Sequence, residues 1–115
     1  MTIKSAKGYK KKCDDLVRKL TLSQSYCSRC RSTSYLQTSH IIGRRYSATR
    51  TDLSNLQCLC AKCHRRLTDF PREFSQWITE SIGAKEYERL RQKAEWFEGK
   101  MNWEEELIRL KQFSV

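Results

Sequence analysis

The chain has 115 residues, with 23 Lys or Arg against 13 Asp or Glu and a formal net charge of +10. This length fits one domain near the small end of what sustains its own core, and no stretch approaches the roughly 20 apolar residues of a bilayer-spanning helix, so a soluble protein is expected. Six cysteines accompany a lysine-rich start, 1–22, with no apolar run of signal-peptide length, so reduced thiols in a soluble cytoplasmic protein are expected and metal binding is favoured over disulfides.

Residues 1–8 are short and polar and are expected to be flexible. From Tyr9, the apolar positions Tyr9, Cys13, Leu16, Val17 and Leu20 recur at helical spacing, and Lys10, Lys11, Lys12, Arg18 and Lys19 occupy the other faces. The result is an amphipathic helix whose solvent side is basic; its lysines either touch phosphate or form a solvated face. Cys13 lies on the apolar stripe and reads as a buried thiol.

After a polar connector, Cys27-x-x-Cys30 forms a knuckle flanked by Arg29 and Arg31, which either face phosphate or bond locally. Residues 35–42 are rich in β-formers and predict a short strand ending near Gly43. Residues 43–54 carry Arg44, Arg45, Tyr46 and Arg50 without apolar periodicity, which predicts a long loop of a length usually functional or disordered. Residues 53–58 predict an antiparallel return strand. Cys60-x-x-Cys63 then opens a helix from about Ala61 to Asp69, interrupted at Phe70-Pro71.

The remainder reads as helical. Phe74, Trp77, Ile78 and Ile82 mark one apolar stripe, stopped by Gly83 as a left-handed cap; Tyr87, Leu90, Ala94 and Phe97 mark a second, ended by Gly99. Asn102-Trp103-Glu104-Glu105 resembles a capping box and starts a third helix with Trp103, Leu107 and Leu110 inward. This tail is either a scaffold or a dimerisation surface. The expected layout is a single α+β domain over 1–115: a basic N-terminal helix (1–25), a zinc-stabilised core (26–70) and a helical extension (71–115).

Charge follows the same division. Residues 1–72 hold 16 Lys or Arg against 4 Asp or Glu, and residues 73–115 hold 7 against 9. A basic part that contains the knuckles points to a polyanion, and nucleic acid is the expected partner. Four thiolates at the spacing of Cys27, Cys30, Cys60 and Cys63 read as a closed tetrahedral Zn2+ site. Cys58 competes with Cys60, but the two-residue spacer from Cys60 to Cys63 mirrors that of the first knuckle. Both histidines of the chain, His40 and His64, are left for chemistry.

Ser39-His40-Ile41-Ile42, Asn55-Leu56-Gln57-Cys58-Leu59-Cys60 and Cys63-His64 together resemble an HNH endonuclease. The resemblance spans residues 26–68, with His40, Asn55 and His64 in the signature positions and the four cysteines where the zinc-bearing variant has them. The wider layout is similar to small phage recombination nucleases of the NinG-like kind. The resemblance implies a ββα-metal fold, one catalytic divalent ion (Mg2+ or Mn2+), DNA as substrate, and cleavage to 3′-hydroxyl and 5′-phosphate ends. A homodimer or a phage protein partner is expected to supply selectivity.

Under this resemblance, His40 is the expected general base, since an imidazole with a pKa near ~6.5 is substantially neutral at cellular pH. His64 is the expected ligand of the catalytic ion. Asn55 both donates and accepts, so it is expected to fix the His40 segment against the second strand. Many relatives carry Asp or His just before the catalytic histidine; here Ser39 stands there, and a neutral hydroxyl is a weak ligand for a hard cation. Arg44, Arg45, Arg50, Lys62, Arg65 and Arg66 are the expected phosphate contacts. Two other readings stand beside this one: a non-catalytic zinc module that binds nucleic acid, and a structure-selective recombination nuclease.

Overall fold

The computed structural model describes residues 2–113, with side chains from residue 8 onward. Its elements in chain order are α1 (Thr2–Leu22), β1 (Leu36–His40), the short α2 (Ser47–Arg50), a 3₁₀ turn (Leu53–Asn55), β2 (Leu56–Cys60), α3 (Ala61–Asp69), α4 (Pro71–Ile82), α5 (Ala84–Trp96) and α6 (Trp103–Lys111). The fold is α+β, with one two-stranded antiparallel sheet in which Leu36 faces Cys60, Ser39 faces Gln57 and His40 faces Leu56.

The alternation of a strand sends β2 side chains to two cores. Leu56 joins Cys13 and Val17 of α1 and Leu107 and Leu110 of α6, with Tyr9, Leu16 and Trp103 packed around them. Leu59 joins Leu67 of α3 and the cysteines, with Phe74 and Trp77 of α4 against them. The sheet is therefore a wedge between the two terminal helices and the α3–α4 pair. Full burial of a leucine such as Leu59 or Leu110 contributes roughly 1.5–3 kcal/mol.

α1 begins at Thr2 rather than at Tyr9, where the apolar periodicity starts; Met1 lies outside the described residues. Lys4, Ala6 and Lys7 are good helix formers, and no proline interrupts the run. β1 is shorter than 35–42. Tyr35 sits at φ +53 and is 84% exposed, which breaks the strand at its start. At the other end, the Ile41 and Ile42 amides leave the ladder to bond Asn55 O and Asn55 Oδ1, both at 2.7 Å.

The return strand starts at Leu56, not at residue 53, because Asp52 accepts the Ser54 amide at 2.9 Å and its carbonyl accepts the Asn55 amide at 2.8 Å. That cap winds residues 53–55 into the 3₁₀ turn. The loop after β1 is thus a structured crossover, with Thr49, Thr51 and Asn55 fully buried.

In the helical extension, Pro71 takes the first position of α4, where its missing amide costs nothing. Gly83 has φ +90 and ψ 152, a region open essentially to glycine alone, and joins α4 to α5. Asn102 Oδ1 caps α6 by accepting the Glu105 amide at 3.1 Å. Phe97 lies beyond the end of α5 and is 40% exposed, so it does not continue the stripe expected of it.

Candidate functional site

The sulfurs of Cys27, Cys30, Cys60 and Cys63 all lie within 4.8 Å of one another, and Cys30 and Cys60 approach to 3.6 Å. Four sulfurs about 2.3 Å from a tetrahedral zinc are separated by roughly 3.8 Å, so this donor set fits one such ion. The first knuckle is built for thiolate: the amides of Arg29 and Cys30 donate to Cys27 Sγ at 3.4 and 3.5 Å. Burial pushes the Cys27 thiol up, but amide donors from Cys30, Cys60 and Arg29 outweigh it and bring the group down to about 6. Arg29 bonds locally, donating to Cys63 Sγ at 3.5 Å and to Glu73 at 3.0 Å. Cys58 is buried outside the cluster.

His40 ends β1, and His64 stands in the first turn of α3, one residue past the last cysteine. Both rings line one cleft of about 610 Å³, walled by α1 through Asp14, Val17 and Arg18 and by Gly43 and Arg44 of the crossover. A smaller hollow beside it is lined by Ser39, His40, His64 and Phe74. The two histidines therefore share a concave surface, and Cys63 of the cysteine cluster immediately precedes His64 in the chain.

His40 Nε2 is 3.1 Å from the Arg50 carbonyl, and His64 Nδ1 is 2.7 Å from Gln37 Oε1. A carbonyl oxygen only accepts, so each of these nitrogens carries the proton and each opposite nitrogen carries the lone pair. Burial lowers the pKa of His40; the Arg44 and Arg50 charges add to this, and the bond to the Arg50 carbonyl and the Asp14 charge oppose it. Burial also lowers the pKa of His64.

Asn55 has no exposed surface. Its Oδ1 accepts the Ile42 amide, and its Nδ2 donates to the Ile42 and Thr49 carbonyls, each at 3.0 Å. Ser39 is 5% exposed and borders the smaller hollow.

The six cations are placed differently from one another. Arg44 is exposed on the cleft rim, 3.9 Å from Asp14. Arg45 stacks over Tyr46 at 4.8 Å and donates to its hydroxyl at 2.7 Å. Arg50 is turned inward, gripping Asp14 with two hydrogen bonds at 2.9 and 2.7 Å. Lys62 and Arg65 are exposed on α3, and Arg65 lies 3.8 Å from Asp69. Arg66 pairs with Glu73 at 2.9 Å and lies over Phe70 at 3.9 Å.

Asp14, Arg18 and Gln37 belong to this site and were not singled out from sequence as site residues. The signal available for Asp14 was the pair Asp14-Asp15, two acids interrupting an otherwise basic helix.

Residues 27–70 match the family model described as HNH endonuclease. No curated protein and no solved structure matches the chain.

Proposed function

We propose that the HNH endonuclease domain at residues 27–70 makes this protein a metal-dependent endonuclease or nickase that hydrolyses DNA phosphodiester bonds. One observation carries the reading: His40 and His64 line the same cleft, with opposite ring nitrogens held by protein acceptors.

His40 is the general base. With Nε2–H held by the Arg50 carbonyl, Nδ1 is the atom that takes a proton from the attacking water. Burial and the neighbouring guanidinium groups favour the neutral ring, which is the form that accepts a proton. His64 offers Nε2 to a cation, and Gln37 fixes its tautomer as second-sphere partners of metal-binding histidines do. Ser39 contributes at most a weak hydroxyl donor beside it. A bound Mg2+ or Mn2+ supplies positive charge that polarises the scissile phosphate and stabilises the departing oxygen. Asn55 holds the crossover and touches no reacting atom.

Arg44, Arg45, Lys62, Arg65 and Arg66 position the DNA backbone without reading sequence. Arg50 reaches phosphate only by releasing Asp14. Zn2+ in the four-cysteine cluster is structural. No helix among the described residues is long and apolar enough to cross a membrane, and we read the protein as cytoplasmic, with a second copy or a phage protein as the source of selectivity.

Plasmid nicking in Mg2+ or Mn2+ tests the reading. Wild type relaxes supercoiled plasmid, and His40→Ala loses about 10²–10⁴-fold in rate, the contribution of a positioned base. The buried neutral Ser39 favours a second reading, a zinc module that binds nucleic acid without cutting. If neither protein cuts while both bind DNA equally, that module is the better account. Faster cutting of branched than of linear duplexes would mark a structure-selective recombination nuclease.

A further inference from the structure

We propose that the ion pair between Asp14 of α1 and Arg50 is a positioning device for His40, an inference that rests on the reading of His40 as the base. Arg50 is a hub. Its Nε and Nη2 hold Asp14 Oδ1 and Oδ2 at 2.9 and 2.7 Å, its Nη1 donates to the Arg44 carbonyl at 3.2 Å, and its own carbonyl accepts from His40 Nε2 at 3.1 Å. A side chain anchored to the N-terminal helix thus belongs to the residue whose backbone sets the histidine tautomer.

The crossover needs such an anchor, because α2 is a four-residue helix and a single turn does not hold itself in water. Three consecutive carbonyls there are each taken by a distant side chain: Thr49 by Asn55 at 3.0 Å, Arg50 by His40, and Thr51 by Arg109 at 3.1 Å. Asn55 and Arg109 fix the flanking peptides, and the Asp14 grip fixes the residue between them. The Arg50 and Asp14 side chains are 16% and 25% exposed, so water weakens the pair less than it does a surface bridge. The two-pronged geometry sets the direction of the guanidinium as well as its distance, which a lysine does not reproduce. α1 is therefore a working wall of the cleft, and Asp14 and Arg50 act through His40 without touching the substrate.

The test is steady-state cleavage of supercoiled plasmid by the full chain in Mn2+, with ring ¹⁵N NMR of His40. Asp14→Asn and Arg50→Lys each lower kcat about tenfold with KM within about twofold, Asp14→Glu restores most of the rate, and the double mutant is no worse than either single one. In Asp14→Asn, His40 shifts from the Nε2–H form to a tautomer mixture, which a merely structural bridge would not cause. An unchanged kcat and an unchanged tautomer overturn the proposal. So does an Arg50→Lys protein that raises KM and weakens DNA binding while Asp14→Asn does neither, since Arg50 then grips phosphate. His40→Ala separates the two failures: full activity there removes the base itself, whereas an inactive His40→Ala beside a fully active Asp14→Asn removes only the clamp. If Asp14→Asn fails to fold, Arg50→Lys and Asp14→Glu carry the same comparison.

Discussion

Asn55 closes on both backbone groups of Ile42, accepting its amide at 2.7 Å and donating to its carbonyl at 3.0 Å. The side chain so mimics a strand partner two residues beyond the end of β1, and it steadies the backbone just after His40. Asn55→Ala leaves the part-buried amide and carbonyl of Ile42 unpaired, at about 1–3 kcal/mol each, whereas the Thr49 carbonyl still accepts the Asp52 amide at 3.2 Å. Urea unfolding of the variant is expected to show a loss of at least ~2 kcal/mol. Asn55→Asp keeps one acceptor but loses the donor, and is expected to rescue little.

Gln37 orients His64, so Gln37→Leu frees the ring and weakens Mn2+ binding by about 10- to 100-fold in calorimetry. Gln37→Glu retains an acceptor and stays near the wild-type affinity. Equal Mn2+ affinity in wild type and His64→Ala would remove His64 as a ligand.

Cys30→Ser removes one of four sulfurs, and structural zinc contributes on the order of 10 kcal/mol to small domains, so the variant is expected to be unfolded and zinc-free. Strong chelators do the same to wild type. Cys58→Ser lies outside the cluster and keeps a full equivalent of zinc by metal analysis; loss of zinc in that variant would reassign the ligand set.

Burial and the two neighbouring guanidinium groups hold the pKa of His40 below its ordinary value of about 6.5, so the fold favours the neutral ring. The sign for stability follows: this contribution is present above about 6.5 and is lost as pH falls toward the folded value, while the unfolded chain binds the proton first. Zinc-loaded protein is expected to lose stability between pH 7 and 5, and His40→Gln to lose less. The acid limb of the cleavage profile is expected to fall below the pKa of a free imidazole.

Arg44 is exposed on the cleft rim and Arg65 on α3, both open to phosphate. DNA affinity is expected to fall steeply with salt, and Arg44→Ala to reduce the slope of log K against log salt by about one. A flat salt dependence would detach the basic part of the chain from DNA.

The sequence by itself determined the cysteine pairs, the span of α3, the proline start of α4 and the asparagine cap of α6, because each depends on spacing within a few residues. Two-residue spacers, a proline at the start of α4 and an asparagine before α6 act locally, so their meaning survives without coordinates. The strand limits were misread for the opposite reason: Ile41, Ile42 and Leu53 have the composition of strand, but Asn55 and Asp52 hold their surroundings in a crossover. Only the tertiary structure decided that Arg50 faces inward, that Gln37 reaches His64, and that an acid of the N-terminal helix stands behind His40. Asp14 and Arg50 are 36 residues apart, and which of several surface arginines meets a given carboxylate depends on how α1 packs against the sheet and α6, a long-range property that no local pattern encodes.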